Sequence, residues 1–357
     1  MGEVLGLGVT HSPLFPVPAE KMAFMLSKRL ADPDIPDSAK DQSKWPDAMR
    51  AEWAKDNGAA AGEKHRQEMI VGLRKARQRL DEFKPDFIVM WGDDQYENYR
   101  EDVIPPFSVL CYEQVTARPW GQGRDGSAAT GAGKPNVWGE GPDFEITIKG
   151  HREAGKYIVE KLLENEFDIA YSYEPLHHPS LSHAFLNAIL YLDYDRKGFP
   201  HRVLPMPINC YGREVIGYRG FADNLGHKPP PDPPSPSPRR CFNLGAAVAR
   251  ICRESPWRVA LMASSSWSHS FLTKKTWRMV PDIETDTRLY QAMLNGDYDF
   301  WRNFTLAQVE DCGGHETLNW FTLMGAMNEL NHKCVWSDFL PTYIFNATKV
   351  TAIFAPR

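Results

Sequence analysis

The sequence predicts an α/β protein with a mostly parallel central sheet and helices on both of its faces. Short apolar runs bounded by turn residues recur along the 357 residues, and such runs are typical of strands that are buried on both faces. Longer stretches with helical spacing separate them, and this alternation favours a parallel sheet. We expect one elaborated domain over residues 1–357, because single α/β domains commonly reach this size.

The predicted strands are 4–9, 87–91, 107–112, 169–173, 203–208, 259–263 and 343–354. The predicted helices are 62–83, 150–165, 181–192, 239–253, 285–295 and 316–330. Asn346 and Ala347 interrupt the last run, so we expect an antiparallel strand pair there, at an edge of the sheet. The segment at about 16–84 is predicted to be an inserted helical excursion near the N-terminus, between the first two strands.

Two segments are predicted to be loops. Residues 228–240 read KPPPDPPSPSPRR, and prolines at this density enforce an extended conformation without helix or sheet hydrogen bonds. We expect a stiff surface loop over 228–238, in preference to a ligand for an SH3-type domain. The glycine-rich stretch 121–141 is predicted to be a mobile loop, and loops of this kind often cover sites.

Composition argues against several partners and locations. The formal net charge is -5 and the basic residues are scattered, so we expect neither a nucleic-acid nor a membrane partner. The N-terminus lacks the basic start and apolar core of a secretory signal, and we expect a cytoplasmic protein. The six cysteines show no paired spacing, so we expect reduced thiols.

Polar residues that directly follow predicted strands are the candidates for function, because ligands gather outside the carboxyl ends of the strands in α/β sheets. Each of these candidates follows a different strand, as a site assembled at one sheet edge requires. They are His11, the sequence Asp93-Asp94-Gln95, the pair His177-His178, Asn209 and His269.

Two of these histidines suit chemistry. His11 precedes Ser12-Pro13, and the proline holds the imidazole at a turn beyond the strand, which is a good position for a metal ligand. His269 lies in SSSWSHSF, where small residues leave the ring free to project. A histidine exchanges protons near neutral pH and suits acid/base catalysis. The alternative for His269 is a ring that only bonds neighbouring serines.

Glu316 is the candidate carboxylate. It follows Gly313-Gly314 at the start of a predicted helix, where the backbone can approach a ligand closely. Capping of the helix is the alternative role for a carboxylate in a first turn. His315 competes with Glu316, but the adjacent position points about 100° away on a helix. His11 and Glu316 would supply two ligands of the facial arrangement typical of non-haem ferrous enzymes.

Five motifs in this order resemble the class III extradiol ring-cleavage dioxygenases, the superfamily of the protocatechuate 4,5-dioxygenase catalytic subunit. The resemblance extends from residue 4 to about residue 330. The motifs are GVTHSP, PDFIVMWGDDQYENYREDVIPPF, HHPSLSHAF, SWSHSF and GGHETLNWFTLMGAM.

The resemblance implies His11 and Glu316 as iron ligands and His269 as the catalytic acid/base. It implies His178 as a catalytic group on the substrate side, with His177 as the lesser candidate. The family places its second histidine ligand where this chain has Gln95. Gln95 or Asp94 would then be the third metal ligand.

Further alternatives for the third position are His65 from the long helix, or a site without metal. The expected metal is Fe(II), with Mn(II) as the alternative, because a ligand set rich in carboxylates is harder than one with two histidines.

The resemblance also implies the reaction. We expect an iron-dependent dioxygenase that inserts O2 into a catechol-like, aminophenol-like or hydroxypyridone ring. The alternatives are a metal-dependent hydrolase or lyase on the same fold, and a non-catalytic partner subunit. A homo-oligomer or a complex with a small helical partner subunit is expected.

Overall fold

The structure is a computed structural model that describes residues 2–121, 135–213 and 232–356. The strands are β1 Val4–Val9, β2 Phe87–Asp93, β3 Ser108–Leu110, β4 Gln114–Ala117, β5 Ile146–Lys149, β6 Ala170–Ser172, β7 Val203–Ile208, β8 Val259–Ser264, β9 His332–Leu340 and β10 Lys349–Pro356. The α-helices are α1 Phe24–Leu30, α2 Asp37–Lys40, α3 Asp47–Trp53, α4 Ala59–Phe83, α5 Arg152–Glu164, α6 His183–Leu192, α7 Pro238–Glu254, α8 Ile283–Asn295, α9 Tyr298–Asn303, α10 Leu306–Cys312 and α11 Leu318–Glu329.

The central sheet has the strand order β7-β2-β8-β1-β10-β9. Neighbouring strands from β7 to β1 are parallel, whereas β10 is antiparallel to both β1 and β9. The predicted mostly parallel sheet is confirmed. The carboxyl ends of the four parallel strands meet at one edge, and every polar residue at those ends is brought towards the same region.

The strands predicted at 107–112 and 169–173 are present, but three features of the sheets differ from the prediction. β3 and β6 pair with each other in a separate two-stranded sheet, so the runs 107–112 and 169–173 do not extend the central sheet. The antiparallel pair is β9 with β10, and the part of run 343–354 before Lys349 is not strand. β9 was missed because it is mostly half-exposed and its sequence, HKCVWSDFL, has neither a long apolar run nor a regular alternation. The pair β4 and β5 was also missed.

Helices cover both faces of the sheet, as predicted. Successive residues of a strand point to opposite faces, and in β2 the side chains of Ile88 and Met90 pack with α4 and α6. Val89 and Trp91 pack on the other face with α5, α7 and α11. The alternation explains why the strand sequences are apolar throughout, because neither face is left to solvent.

Helices α1 to α4 occupy the chain between β1 and β2. The first three form a hydrophobic cluster of their own with residues after β9, including Leu26, Met49, Trp53 and Ile344. Most of the predicted glycine-rich loop, and the beginning of the proline-rich loop, lie outside the described residues. No helix among those described is long and apolar enough to cross a membrane.

A glycine in β1 permits the close packing of α11. A Cβ atom at Gly8 would lie 2.0 Å from the ring of Trp320, which is far inside van der Waals contact. Trp320 is fully buried, and its indole N–H donates to the Ser265 carbonyl at 3.1 Å. This contact fixes the depth at which α11 lies on the sheet, and so the position of Glu316 just before it.

A buried aspartate anchors the chain after β8. Asp286 of α8 accepts hydrogen bonds from the backbone N–H of Ser268 at 3.1 Å and from the Ser268 hydroxyl at 2.5 Å. Burial raises the pKa of Asp286 to about 7. Because Ser268 directly precedes His269, this anchor sets the path of the chain at His269.

Replacing Gly8 with alanine should destabilise the protein. The added methyl group meets the rigid indole of Trp320, and overpacking of this kind costs about 1–3 kcal/mol. Urea denaturation of the Gly8→Ala variant measures the loss. The control is Gly141→Ala, because nothing lies within 4 Å of a Cβ at Gly141. Equal stability of the two variants would contradict the packing described for Gly8.

The Asp286→Asn variant should change how stability depends on pH. The carboxyl of Asp286 has a raised pKa, from 3.8 to about 7 when folded, so the folded protein binds the extra proton. Below pH 4 the Asp286 carboxyl is protonated in both the folded and the unfolded state, and its contribution to stability is fully present. As pH rises from about 4 to about 7, the unfolded state releases this proton first, so the contribution is lost by roughly 1.4 kcal/mol per pKa unit. The stability of wild type relative to Asp286→Asn should fall over that range in denaturation series at several pH values. A constant difference would contradict the assignment.

Candidate functional site

His11 lies at the carboxyl end of β1 with one ring nitrogen bonded and the other unpaired. Its Nδ1 is 2.9 Å from the Ser264 carbonyl oxygen, at the end of β8. A carbonyl oxygen only accepts, so Nδ1 carries the proton and Nε2 has a free lone pair. Nε2 is buried and has no hydrogen-bond partner among the described residues. His11 therefore has the protonation pattern of a metal-ligating histidine.

Two buried carboxylates face this nitrogen. Asp93 Oδ1 lies 3.5 Å from His11 Nε2, and Glu316 Oε2 lies 3.3 Å from it. Both oxygen atoms are buried without a hydrogen-bond partner in the described part of the chain. Asp93 ends β2, and Glu316 lies in the short 3-10 helix His315–Thr317 that leads into α11. Side chains that are far apart in sequence thus meet at one point.

Gln95 and Tyr211 bond the other oxygens of the same carboxylates. Gln95 Nε2 lies 3.2 Å from Asp93 Oδ2, 3.3 Å from Glu316 Oε1 and 2.5 Å from the Tyr211 hydroxyl. The Tyr211 hydroxyl donates to Glu316 Oε1. Burial, followed by the charge of Glu316, raises the pKa of Tyr211 well above its usual value, so the hydroxyl keeps its proton.

Asp94 points away from this cluster. Its carboxylate accepts the backbone N–H groups of Glu97, Asn98 and Tyr99 at 3.0, 2.8 and 3.3 Å. The structure therefore places Asp94 as the cap of the turn that follows β2. Asn209 also holds a turn, because its Oδ1 accepts the N–H of Gly212 at 3.1 Å.

His269 lies beside the carboxylates. Its Nε2 is 3.3 Å from Glu316 Oε1, and its Nδ1 is 2.8 Å from the Trp267 carbonyl oxygen. Burial lowers the pKa of His269. The backbone N–H of His269 donates to the Gly313 carbonyl at 2.9 Å. Gly313 has a φ of +68°, and a Cβ there would lie 2.8 Å from the His269 carbonyl oxygen, so glycine is required for this contact.

His183 is a member of the cluster that the sequence analysis missed. His11, Asp93 and His183 each present a ligand atom, all within 4.8 Å of one another. Glu97 holds His183 at two points, through its ring Nδ1 at 2.8 Å and its backbone N–H at 2.9 Å. Burial alone would lower the pKa of His183, but the charge of Glu97 and its hydrogen bond outweigh burial and raise the pKa to about 10.

A signal for His183 was available. It lies in the same motif, HHPSLSHAF, as the predicted His178, and it begins α6. The structure places His178 in its own turn, where Nδ1 accepts the Ser180 N–H at 3.1 Å. His177 is more exposed and pairs with Asp102 at 2.7 Å.

The two other histidines considered from the sequence lie around this cluster. His315 stacks on Tyr211, with ring centroids 6.0 Å apart. His65 packs against Phe345 at 5.2 Å, in a buried position on α4.

The electrostatics of the cluster favour a cation. Burial and the charge of Glu316 raise the pKa of Asp93 to about 6. Burial acts the same way on Glu316, but its interactions with His269 and His11 and the hydrogen bond from Tyr211 outweigh burial and hold the pKa of Glu316 below its usual range. A buried carboxylate without a partner is costly unless it is neutralised or coordinates a metal. Three unpaired ligand atoms that converge, on His11, Asp93 and Glu316, fit a divalent metal ion.

Comparison with known proteins shows which family part of this chain resembles. Residues 233–347, which include His269 and Glu316, match the family described as the catalytic LigB subunit of aromatic ring-opening dioxygenase. Among solved structures, the uncharacterized protein JW3007 from Escherichia coli K12 overlaps with 79% of this chain and 91% of its own at 13% identity. The TM-score of 0.42 supports no conclusion about function.

Several curated relatives are aromatic dioxygenases. A 2,3-dihydroxyphenylpropionate/2,3-dihydroxicinnamic acid 1,2-dioxygenase of Comamonas testosteroni is 27% identical over 55% of this chain and 47% of the relative. The Pseudomonas putida protein named 2,3-dihydroxyphenylpropionate/2,3-dihydroxicinnamic acid 1,2-dioxygenase 2 is 24% identical over 57% of this chain and 49% of the relative. A gallate dioxygenase of Pseudomonas putida is 24% identical over 56% and 53%. The chain spans about half the length of the curated relatives it matches. The match to the LigB subunit over residues 233–347 and the similarity to these relatives agree with the order of motifs in the sequence, so this part of the chain is similar to aromatic ring-opening dioxygenases.

Proposed function

We propose that the protein is a non-haem, Fe(II)-dependent extradiol-type dioxygenase that opens a catechol-like, aminophenol-like or hydroxypyridone ring. The convergence of unpaired ligand atoms from His11, Asp93 and Glu316 beside His269 carries this proposal. Both atoms of O2 enter the product, so the ring supplies all the electrons and no external reductant is required. The relatives named above, dioxygenases of 2,3-dihydroxyphenylpropionate and of gallate, support this substrate class.

His11, Asp93 and Glu316 would hold the metal. The sequence assigned the third position to Gln95 or Asp94, and we assign it to Asp93 because its Oδ1 is the unpaired atom that faces His11. Fe(II) in such a site supplies redox chemistry and open positions for adjacent substrate heteroatoms and O2. One histidine with two carboxylates is also a suitable set for Mn(II).

His269 and His183 would manage the protons of the reaction. With Nδ1–H directed to the Trp267 carbonyl, neutral His269 presents the Nε2 lone pair and is suited to accept a proton from a substrate hydroxyl. Glu97 stabilises the protonated form of His183, which is suited to donate one. Two groups whose environments shift their pKa values in opposite directions are a common acid/base pair. His178, the residue implied by the resemblance, is the competitor for the role of His183.

We also propose that residues 1–357 form one catalytic domain, with 16–84 as a helical insertion and 228–238 as a loop. The two main hydrophobic clusters lie on opposite faces of the same sheet, which supports a single domain. The chain would form a homo-oligomer or bind a small helical partner subunit, and residues 16–60 would be the segment that stands in for such a partner. A cytoplasmic location is proposed because all six cysteines are free thiols.

One alternative function has structural support. The ligand set of His11, Asp93 and Glu316 is rich in oxygen, and such sets also serve metal-dependent hydrolases and lyases. Oxygen consumption separates the two functions, because a hydrolase or lyase uses no O2.

Anaerobic loading with Fe(II), followed by air-saturated buffer and a panel of catechols, aminophenols and hydroxypyridones, should give O2 uptake and a coloured ring-opened product. A chelator should abolish the activity, and Fe(II) should restore it. Tight metal binding without O2 uptake would favour the hydrolase or lyase. Failure to bind any divalent metal would favour a non-catalytic partner subunit.

The Asp93→Asn variant should lose a charged metal ligand. Loss of an outer hydrogen-bond partner weakens metal binding by up to about 100-fold. Loss of a direct ligand should cost at least as much, so we expect Fe(II) binding to weaken by about 100-fold or more. Equilibrium dialysis and O2 uptake measure the loss. The control is Asp34→Asn, because Asp34 is an exposed carboxylate on the N-terminal segment. Metal binding of Asp93→Asn at the level of the control would remove Asp93 from the ligand set.

Glutamine in place of either proton-transfer histidine should lower kcat by about 10²- to 10⁴-fold. His269→Gln and His183→Gln remove the two groups, and steady-state O2 uptake measures kcat and KM. His178→Gln is the decisive comparison. If it lowers kcat while His183→Gln does not, the role of His183 belongs to His178. The control His201→Gln alters a histidine that pairs with Asp81.

A further inference from the structure

We propose that Gln95 and Tyr211 are positioning residues, which hold the two carboxylates of the metal site in place, and that Gln95 does not coordinate the metal. The inference rests on the proposed function, because it concerns the same metal. It differs from the expectation drawn from the resemblance to the extradiol family, in which Gln95 or Asp94 is the third metal ligand.

The orientation of the Gln95 amide excludes coordination in this conformation. Its nitrogen is the atom that faces Asp93, Glu316 and Tyr211. Carboxylate oxygens can only accept hydrogen bonds, so the group that faces them must be the NH2 donor and not the amide oxygen. An amide NH2 has no lone pair available for a metal. Coordination by Gln95 would require the amide to turn and would leave both carboxylates without this donor.

Each carboxylate has one oxygen held and the other free. For Asp93, Oδ2 accepts from Gln95 while Oδ1 is unpaired and 3.5 Å from His11 Nε2. For Glu316, Oε1 accepts from Tyr211 while Oε2 is unpaired and 3.3 Å from His11 Nε2. The hydrogen bonds thus fix the rotation of both carboxylates and leave free the oxygens that face His11. This is the arrangement that outer hydrogen-bond partners give to metal ligands.

Tyr211 is itself rigidly held, as a positioning residue must be. It is buried, and its ring stacks on His315 at 6.0 Å with an interplanar angle of 25°. It follows β7, whereas Gln95 follows β2, and these two strands are parallel neighbours. Gln95 also donates to the Tyr211 hydroxyl, so the two residues form one connected unit rather than two independent contacts.

Metal affinity tests the proposal directly. Isothermal titration of the metal-free protein with Mn(II) gives a dissociation constant for wild type, Tyr211→Phe, Gln95→Met and the double variant. Each single substitution should weaken binding about 10- to 100-fold, the range for outer partners of metal ligands. The double variant should lose less than the product of the two effects, because the residues act as a unit. The control Tyr290→Phe removes a hydroxyl that bonds Ser337.

The visible spectrum of bound Co(II) separates positioning from coordination. Its bands should have the same position in wild type and Gln95→Met, because the number and type of ligands do not change. Loss of a ligand in Gln95→Met would shift the bands and would overturn the proposal. Single variants that bind Mn(II) as tightly as Tyr290→Phe, or effects that multiply fully, would also overturn it.

The outcomes distinguish this proposal from the proposed function. If wild type consumes O2 with a catechol and the variants bind Mn(II) unchanged, only the positioning role fails. If wild type binds no divalent metal, both fail. Thermal unfolding of the metal-free variants checks folding. If Gln95→Met does not fold, Tyr211→Phe, which removes a single oxygen atom, tests the same prediction for Glu316.

Discussion

Burial of two carboxylates against one imidazole nitrogen is the constraint on which the rest of the site depends. Asp93 and Glu316 lie 3.5 and 3.3 Å from His11 Nε2, and the oxygens that face it have no hydrogen-bond partner within the described ranges. Two anions removed from water and placed side by side repel each other, so one takes up a proton or a cation lies between them. In agreement with this repulsion, the pKa of Asp93 is raised while the pKa of Glu316 is lowered, so Asp93 is the carboxylate that takes up a proton more readily. A divalent cation resolves it.

The fold places these groups by a few backbone contacts. Ser264 ends β8 and joins two elements, because its carbonyl bonds the His11 ring at 2.9 Å and its hydroxyl donates to the Ala184 carbonyl at 2.6 Å. The next residue, Ser265, donates through its hydroxyl to the backbone carbonyl of Glu316 at 2.9 Å. One strand end therefore fixes the ring of His11, the start of α6 and the backbone of Glu316. The glycines of β1 let α11 approach closely enough for this to happen.

Neighbouring residues of one strand end have different functions because their side chains leave the chain in different directions. Asp93 faces His11, Asp94 caps the turn, and Gln95 reaches back between the two carboxylates. In the proposed centre, an aspartate would take the ligand position that the resemblance implied for residue 95. The amide would serve the carboxylates as a hydrogen-bond donor.

The sequence by itself determined the fold class, the parallel strands and the chain positions of His11, His269 and Glu316, because apolar strands buried on both faces and the polar residues that follow them leave a local pattern. The sequence-based prediction failed for strands whose pairing depends on distant parts of the chain. β9 lies half-exposed at an edge of the sheet without a long apolar run, and β3 with β6 forms a separate small sheet. Only the tertiary structure decided that His183 and Tyr211 lie at the candidate site, and that Asp93 is the residue of Asp93-Asp94-Gln95 that faces His11. Which side chain of a turn points inwards depends on the elements packed around it, and no spacing in the sequence records that.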